Sequence, residues 1–113
     1  MGSNSPMTPE GRIKKLVTSV LKTAPGSIYY YMPVPNGFGE SSLDYLGGYY
    51  GHFFAVETKK PGGEPTNRQN QIISRMRAAG CKVFVIDGPD GVEELRLWLL
   101  SIYGFSTREQ SPQ

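Results

Sequence analysis

Cysteine is almost missing from this sequence. Cys81 is the only one in 113 residues, so no intramolecular disulfide can close, and a reducing, cytoplasmic compartment is expected. Histidine is as scarce, His52 standing alone. Without a Cys/His cluster at zinc spacing, no structural zinc is expected. Long apolar runs are also lacking. The longest, around Leu97 to Ile102, falls well short of the ~20 residues that a membrane-spanning helix needs, so no membrane partner is expected. Nor is there a large excess of charge of one sign. A formal net charge of +2 and an isoelectric point near 8.7 permit a nucleic-acid partner without requiring one. The glycine-rich segments contain no Gly-Lys-Ser/Thr, which argues against a phosphate-cradling P-loop.

The residues that are present describe a chain that folds. The hydrophobic fraction is 38%, with five Phe, seven Tyr and one Trp, more than a disordered sequence carries. This length suits one compact domain, read here as residues 7–105. Residues 1–6, Met-Gly-Ser-Asn-Ser-Pro, read as an expression remnant before a second methionine, and 106–113 as a polar tail that frays. No internal repeat is visible.

Between these ends the punctuation is regular. Thr8 is a helix N-cap with Pro9 at the first helical position, and Ile13, Leu16, Val17, Val20 and Leu21 recur at helical spacing to about Lys22. Ser27 to Val34 has the composition of a strand. A loop with Asn36, Gly37 and Gly39 leads to a short strand, Leu43-Asp44-Tyr45-Leu46, and Gly47-Gly48 then suits a tight turn. His52 to Lys60 reads as a third strand stopping at Pro61-Gly62-Gly63. Thr66 and Gln69 have capping-box spacing ahead of Ile72, Ile73 and Met76. Lys82-Val-Phe-Val-Ile86 is apolar enough for a central strand buried on both faces. Asp90, with Glu93 three residues on, can cap a last helix containing Val92, Leu95, Trp98 and Leu99. The expected order is α-β-β-β-α-β-α, an α/β chain built on a mixed sheet.

Chemistry concentrates where the third strand ends. Glu57 and Lys59 are two apart, so strand alternation puts both on one face, about 6.5 Å apart. The apolar residues before them bury the strand, so its polar end should emerge at the sheet margin, where sites commonly lie. Glu-x-Lys alone is equally an ordinary solvated strand end. Asp44 strengthens it, because a hairpin folded after Asp44 brings that acid toward Glu57. Two carboxylates so close repel each other unless a cation lies between them, and hard oxygen donors suit Mg²⁺ or Mn²⁺. A turn residue beside glycines is the competing reading of Asp44.

Taken together, Gly39-Glu-Ser-Ser-Leu-Asp44, Phe54-Ala-Val-Glu57-Thr-Lys59, Thr66-Asn-Arg-Gln69 and Gly80-Cys-Lys-Val-Phe-Val-Ile resemble the virus-type replication-repair nuclease (VRR-NUC) domain of the PD-(D/E)xK nuclease superfamily, in its stand-alone phage-type form. The likeness runs from Glu10 to about Ile86. It implies a restriction-endonuclease-like αβββαβ core, here with a C-terminal helix. It implies that Asp44 and Glu57 ligate the metal together with the Thr58 carbonyl, and that Lys59 serves the water nucleophile. Leu43 departs from the pattern, standing where the superfamily name has proline.

The same likeness gives meaning to two further residues. Glu10 matches a helix-one glutamate placed near the metal, although an acid in a first helical turn also complements the macrodipole. Gln69 shares a helix face with Ile72, Ile73 and Met76 and could leave its capping box to touch a metal-bound water or phosphate. Lys60, Arg68 and Arg75 are the candidate DNA contacts, the two arginines falling on one helix stripe. Lys14, Lys15, Lys22 and Arg77 are further cations, most simply read as solvated. The Tyr29-Tyr30-Tyr31 run and the Tyr49-Tyr50 pair can stack on unpaired bases or simply pack in strands. His52 reads as a strand-start residue and Cys81 as a small core residue. The expectation is a Mg²⁺- or Mn²⁺-dependent endonuclease acting on DNA. The likeness implies branched DNA such as a Holliday junction, in the host cell for a phage-encoded member. Two cuts need two sites, so a homo-oligomer, at least a dimer, is expected. The alternatives are a nucleic-acid-binding module that does not cleave and a structural protein whose carboxylates merely hold an ion.

Overall fold

The structure, a computed structural model, describes residues 7–34 and 42–110. The proposed remnant at 1–6, the loop glycines 37 and 39, and the last three residues lie outside the described residues. Helix α1 spans Pro9–Lys22, and strands β1 (Ile28–Tyr31), β2 (Tyr45–Tyr49) and β3 (His52–Thr58) follow. Helix α2 (Asn67–Ala78), strand β4 (Lys82–Ile86) and helix α3 (Pro89–Gln110) complete the expected order. Among the described residues no helix is long and apolar enough to cross a membrane.

Local chemistry sets the helix ends. The Thr8 hydroxyl accepts from Gly11 N at 3.0 Å, satisfying one of the amides that an α-helix leaves orphaned, and proline occupies the first turn of α1. Ile13, Val17 and Leu21, four residues apart, form the buried stripe of α1, while Leu16 stays exposed. At α2 the capping box is complete in both directions.

The sheet is mixed, in the order β1-β2-β3-β4, with the first two pairings antiparallel and the last parallel. Alternation divides its side chains between two cores. On one face Tyr45, Tyr49, Phe54, Val56, Phe84 and Ile86 pack against the buried residues of α1 and against Leu95 and Leu99 of α3. On the other, Ala55 and Val83 pack with Ile73 of α2 and with Leu43. Each fully buried Phe or Leu contributes about 1.5–3 kcal/mol, so the larger α1/α3 layer supplies most of the stabilisation. Trp98 links helix and sheet there, edge-on to both Phe54 and Phe84.

Four expectations require correction. β4 lies at the sheet edge, not its centre. It reads as central because helices cover both faces, Val83 packing on the α2 side and Phe84 and Ile86 on the α3 side. Gly47 and Gly48 lie within β2, and the hairpin turns instead at Tyr50-Gly51, whose φ values of 49° and 84° suit a two-residue primed turn. Tyr50 tolerates the left-handed region because its ring packs on Tyr49 and Tyr103 and its hydroxyl accepts from Ser27 N at 3.0 Å. Asp90 is inside α3, which begins at Pro89, so it complements the helix dipole and does not cap. The same helix continues through residues 106–110, most of the supposed tail.

One irregularity positions the site. Leu43 is buried in the α2-side core and Tyr45 in the α1-side core. In a regular strand residues two apart share a face. The chain therefore turns over at Asp44, a bend immediately before β2.

Candidate active site

The end of β3 buries two polar residues, Glu57 at 3% exposure and Thr58 at 0%. A carboxylate so enclosed needs partners, since an unpaired charge in the interior is strongly unfavourable. Glu57 has three. Its Oε1 accepts from Asp44 N at 3.2 Å, and its Oε2 accepts from Gln69 Nε2 at 2.7 Å and pairs with Lys59 Nζ at 3.2 Å. Burial nevertheless pushes the Glu57 carboxyl above its ordinary value, and the nearby Asp44 charge adds to that, against the opposing pull of Lys59 and the Asp44 amide.

Asp44 is fixed from the other side of the strand. Extending the β2–β3 register by two positions would set Leu43 opposite Thr58. The bend interrupts that pairing, and Asp44 Oδ2 instead accepts from Thr58 N at 2.8 Å and from Thr58 Oγ1 at 2.7 Å. Asp44 Oδ1 faces the Lys14 ammonium of α1 at 3.7 Å. The two acids thus lie side by side at the sheet end, one braced by α2 and the other by α1.

Gln69 does not leave its cap. Its Oε1 accepts from Thr66 N at 2.9 Å while its Nε2 donates to Glu57, so one side chain serves helix and site together. Glu10 lies one step out: its side chain is 41% exposed and pairs with Lys14 at 3.8 Å, and Lys14 in turn reaches Asp44. Lys60, Arg68 and Arg75 are all exposed. Arg75 lines a shallow hollow on α2 with Asn70, Gln71 and Ser74, and Arg68 stands near the start of the same helix. Thr58 is wholly buried, its amide and hydroxyl both committed to Asp44.

Lys14 is the site residue that sequence reasoning did not single out. The available signal was its i,i+4 spacing from Glu10, the orientation that favours an acid–base pair on a helix. Its contact with Asp44 depends on how α1 crosses the sheet, which no local pattern encodes.

Among the described residues no three His, Cys, Asp or Glu side chains gather where they could hold an ion. Asp44 and Glu57 supply hard oxygen donors at neighbouring positions, the Asp44 amide lying on Glu57 Oε1, and Mg²⁺ is commonly held by one or two carboxylates with water and substrate phosphate completing its shell. Burial first, and the Asp44 charge second, raise the Glu57 carboxyl, and a cation held there would favour its ionised form. The donor set therefore fits a hard divalent cation through Asp44 and Glu57. No protein-family model matches the chain and no curated protein matches it, so any functional reading stands on these residues and their geometry.

Proposed function

We propose that the protein is a Mg²⁺- or Mn²⁺-dependent endonuclease of the VRR-NUC type that hydrolyses DNA phosphodiester bonds at the Asp44–Glu57–Lys59 centre. The observation that carries the reading is the triple engagement of one buried carboxylate, with Lys59 and Gln69 on Glu57 Oε2 and the Asp44 amide on Oε1. A solvated strand end has no need of such bracing. Asp44 and Glu57 would hold the cation, which would supply Lewis-acid stabilisation of charge on a phosphoryl oxygen and a more acidic water. Lys59 brings a fixed positive charge to the same carboxylate, suited to orienting an attacking water and to stabilising a phosphorane-like charge without reorganisation. Gln69 holds the Glu57 rotamer, and Thr58 holds that of Asp44. The substrate in this reading is DNA, branched forms included, and the working unit is a dimer or larger homo-oligomer in the cytoplasm.

One observation favours a second reading. The two acids are matched by two ammonium groups, Lys14 at Asp44 and Lys59 at Glu57, a balance that a nucleic-acid-binding module could keep without cleaving. Incubation with supercoiled, linear and four-way-junction DNA, with and without Mg²⁺ or Mn²⁺, separates the two. Metal-dependent cutting that disappears in Lys59→Ala supports the nuclease. Binding by the wild type without cutting under either metal hands the assignment to the binding module.

A further inference from the structure

Outside the acidic centre, an open groove of about 500 Å³ runs between α1 and the end of β1. Gly11, Lys15, Thr18 and Lys22 form one stripe of α1 along it, at the three- and four-residue spacing that keeps side chains on a single helix face. The opposite face of α1 is the buried Ile13, Val17 and Leu21. Met7, Met32 and Tyr45 form the apolar part of the lining, and among the described residues no acidic side chain lines it. Lys14 belongs to both places, lining the groove and pairing with Asp44. Neither Lys15 nor Lys22 has an ion-pair partner among the described residues, and both are exposed.

We propose that this groove seats the sugar–phosphate backbone of a nucleic-acid strand passing the acidic centre, with Lys15 and Lys22 each neutralising one phosphate. The inference rests on the nuclease reading for the direction of the strand, since Lys14, which lines the groove, pairs with Asp44. Charge complementarity selects the occupant: Lys15 and Lys22, exposed and without an ion-pair partner among the described residues, attract a polyanion, and the exposed Met7 and Met32 side chains accept sugars or bases between phosphates. The spacing is compatible. Seven residues at a 1.5 Å rise separate Lys15 from Lys22 by about 10.5 Å along the helix, far enough for the two ammonium groups to meet different phosphates of one strand. Contacts of this kind position a strand without reading its sequence.

The test uses the full chain with fluorescently labelled single-stranded, duplex and four-way-junction oligonucleotides, titrated across a salt series, for wild type, Lys15→Gln, Lys22→Gln and the double variant. Each substitution is expected to weaken binding roughly five- to tenfold at 0.1 M salt and to reduce the slope of log affinity against log salt by about 0.7–0.9, the value for one phosphate contact. These losses should be the same for unrelated sequences. Melting temperature, and its response to Mg²⁺, should not change, because neither lysine touches Asp44 or Glu57. A double variant that binds with wild-type affinity and slope overturns the proposal. So does a double variant that loses only self-association, which would make the groove a contact between copies. Binding that depends on both lysines, from a protein that cuts nothing, upholds the groove and refutes the nuclease.

Discussion

Gln69 joins Thr66 N and Glu57 Oε2 through the two ends of one amide, at 2.9 and 2.7 Å. The start of α2 and the enclosed acid of β3 are therefore one unit, and the orientation of Glu57 is set by a helix cap twelve residues away in the chain.

Two substitutions separate the cap from the site. Thr66→Ala removes the hydroxyl that accepts from Gln69 N and should lower stability by about 1 kcal/mol, the usual loss for an N-cap. Gln69→Ala should destabilise by a similar amount and also free Glu57. Cleavage should then fall at least tenfold for Gln69→Ala and no more than a few-fold for Thr66→Ala. Thermal melts and initial rates on the preferred DNA measure both, and equal rates in the two variants would remove Gln69 from the site.

Divalent cations should stabilise the wild type. An ion bound only by the folded state at a hundred times its dissociation constant adds about 2.7 kcal/mol. Melting with a Mg²⁺ or Mn²⁺ series should show a rising midpoint that is absent in Asp44→Asn and Glu57→Gln. Lys59→Ala should keep that response and lose about 10²–10³-fold in cleavage rate, the scale for removing one preorganised electrostatic contact.

Alkaline pH should weaken the fold through Tyr49. Its phenol is buried and donates to the Pro25 carbonyl, and burial, with Tyr50 and Tyr103 beside it, pushes its pKa from 10.0 up to about 12. A raised pKa means that the folded state holds the proton more tightly than the unfolded chain. The stability due to this group is complete below pH 10 and is lost as pH rises toward 12. Denaturant melts between those pH values should show a steep fall, shallower in Tyr49→Phe. Some slope should survive there, because burial also raises Tyr45.

The paired glycines of β2 should respond in opposite ways. A Cβ at Gly47 would strike the Tyr29 carbonyl oxygen and approach the Phe54 ring to 2.8 Å, whereas one at Gly48 meets nothing within 4 Å. Gly47→Ala should cost about 1–3 kcal/mol or more, the range for overpacking. Gly48→Ala should be neutral or stabilising by up to about 1 kcal/mol, since it restricts the unfolded chain. Denaturant midpoints of the two variants check this, and a tolerated Gly47→Ala would contradict the close approach of β1 to β2.

These glycines also show why the sequence was legible only in part. Element order was readable because capping residues, helical periodicity and β-branched runs are local signals, and they survive from Thr8 to Ile86. Glu57 and Lys59 followed from alternation along one strand. The Gly47-Gly48 pair misled because turn chemistry and the need for space beneath an aromatic ring both select glycine. The edge position of β4 was hidden because two helices shield it as neighbouring strands would. Lys14 escaped notice because its pairing with Asp44 joins residues thirty positions apart, and nothing in either neighbourhood announces the other. The second use of Gln69 lay hidden behind the sufficiency of its first.

The turn-over of the chain between Leu43 and Tyr45 makes Asp44 a seam between two separately packed layers. A seam transmits strain from both sides. Shrinking Leu43 loosens the α2 layer, and shrinking Tyr45 loosens the α1 layer together with its hydrogen bonds to Thr18 and to the Lys14 carbonyl, 2.8 and 3.0 Å long. Either change pulls on the same carboxylate through a single covalent link. Substitutions buried deep in either core would then register at the acidic centre before they unfold the protein.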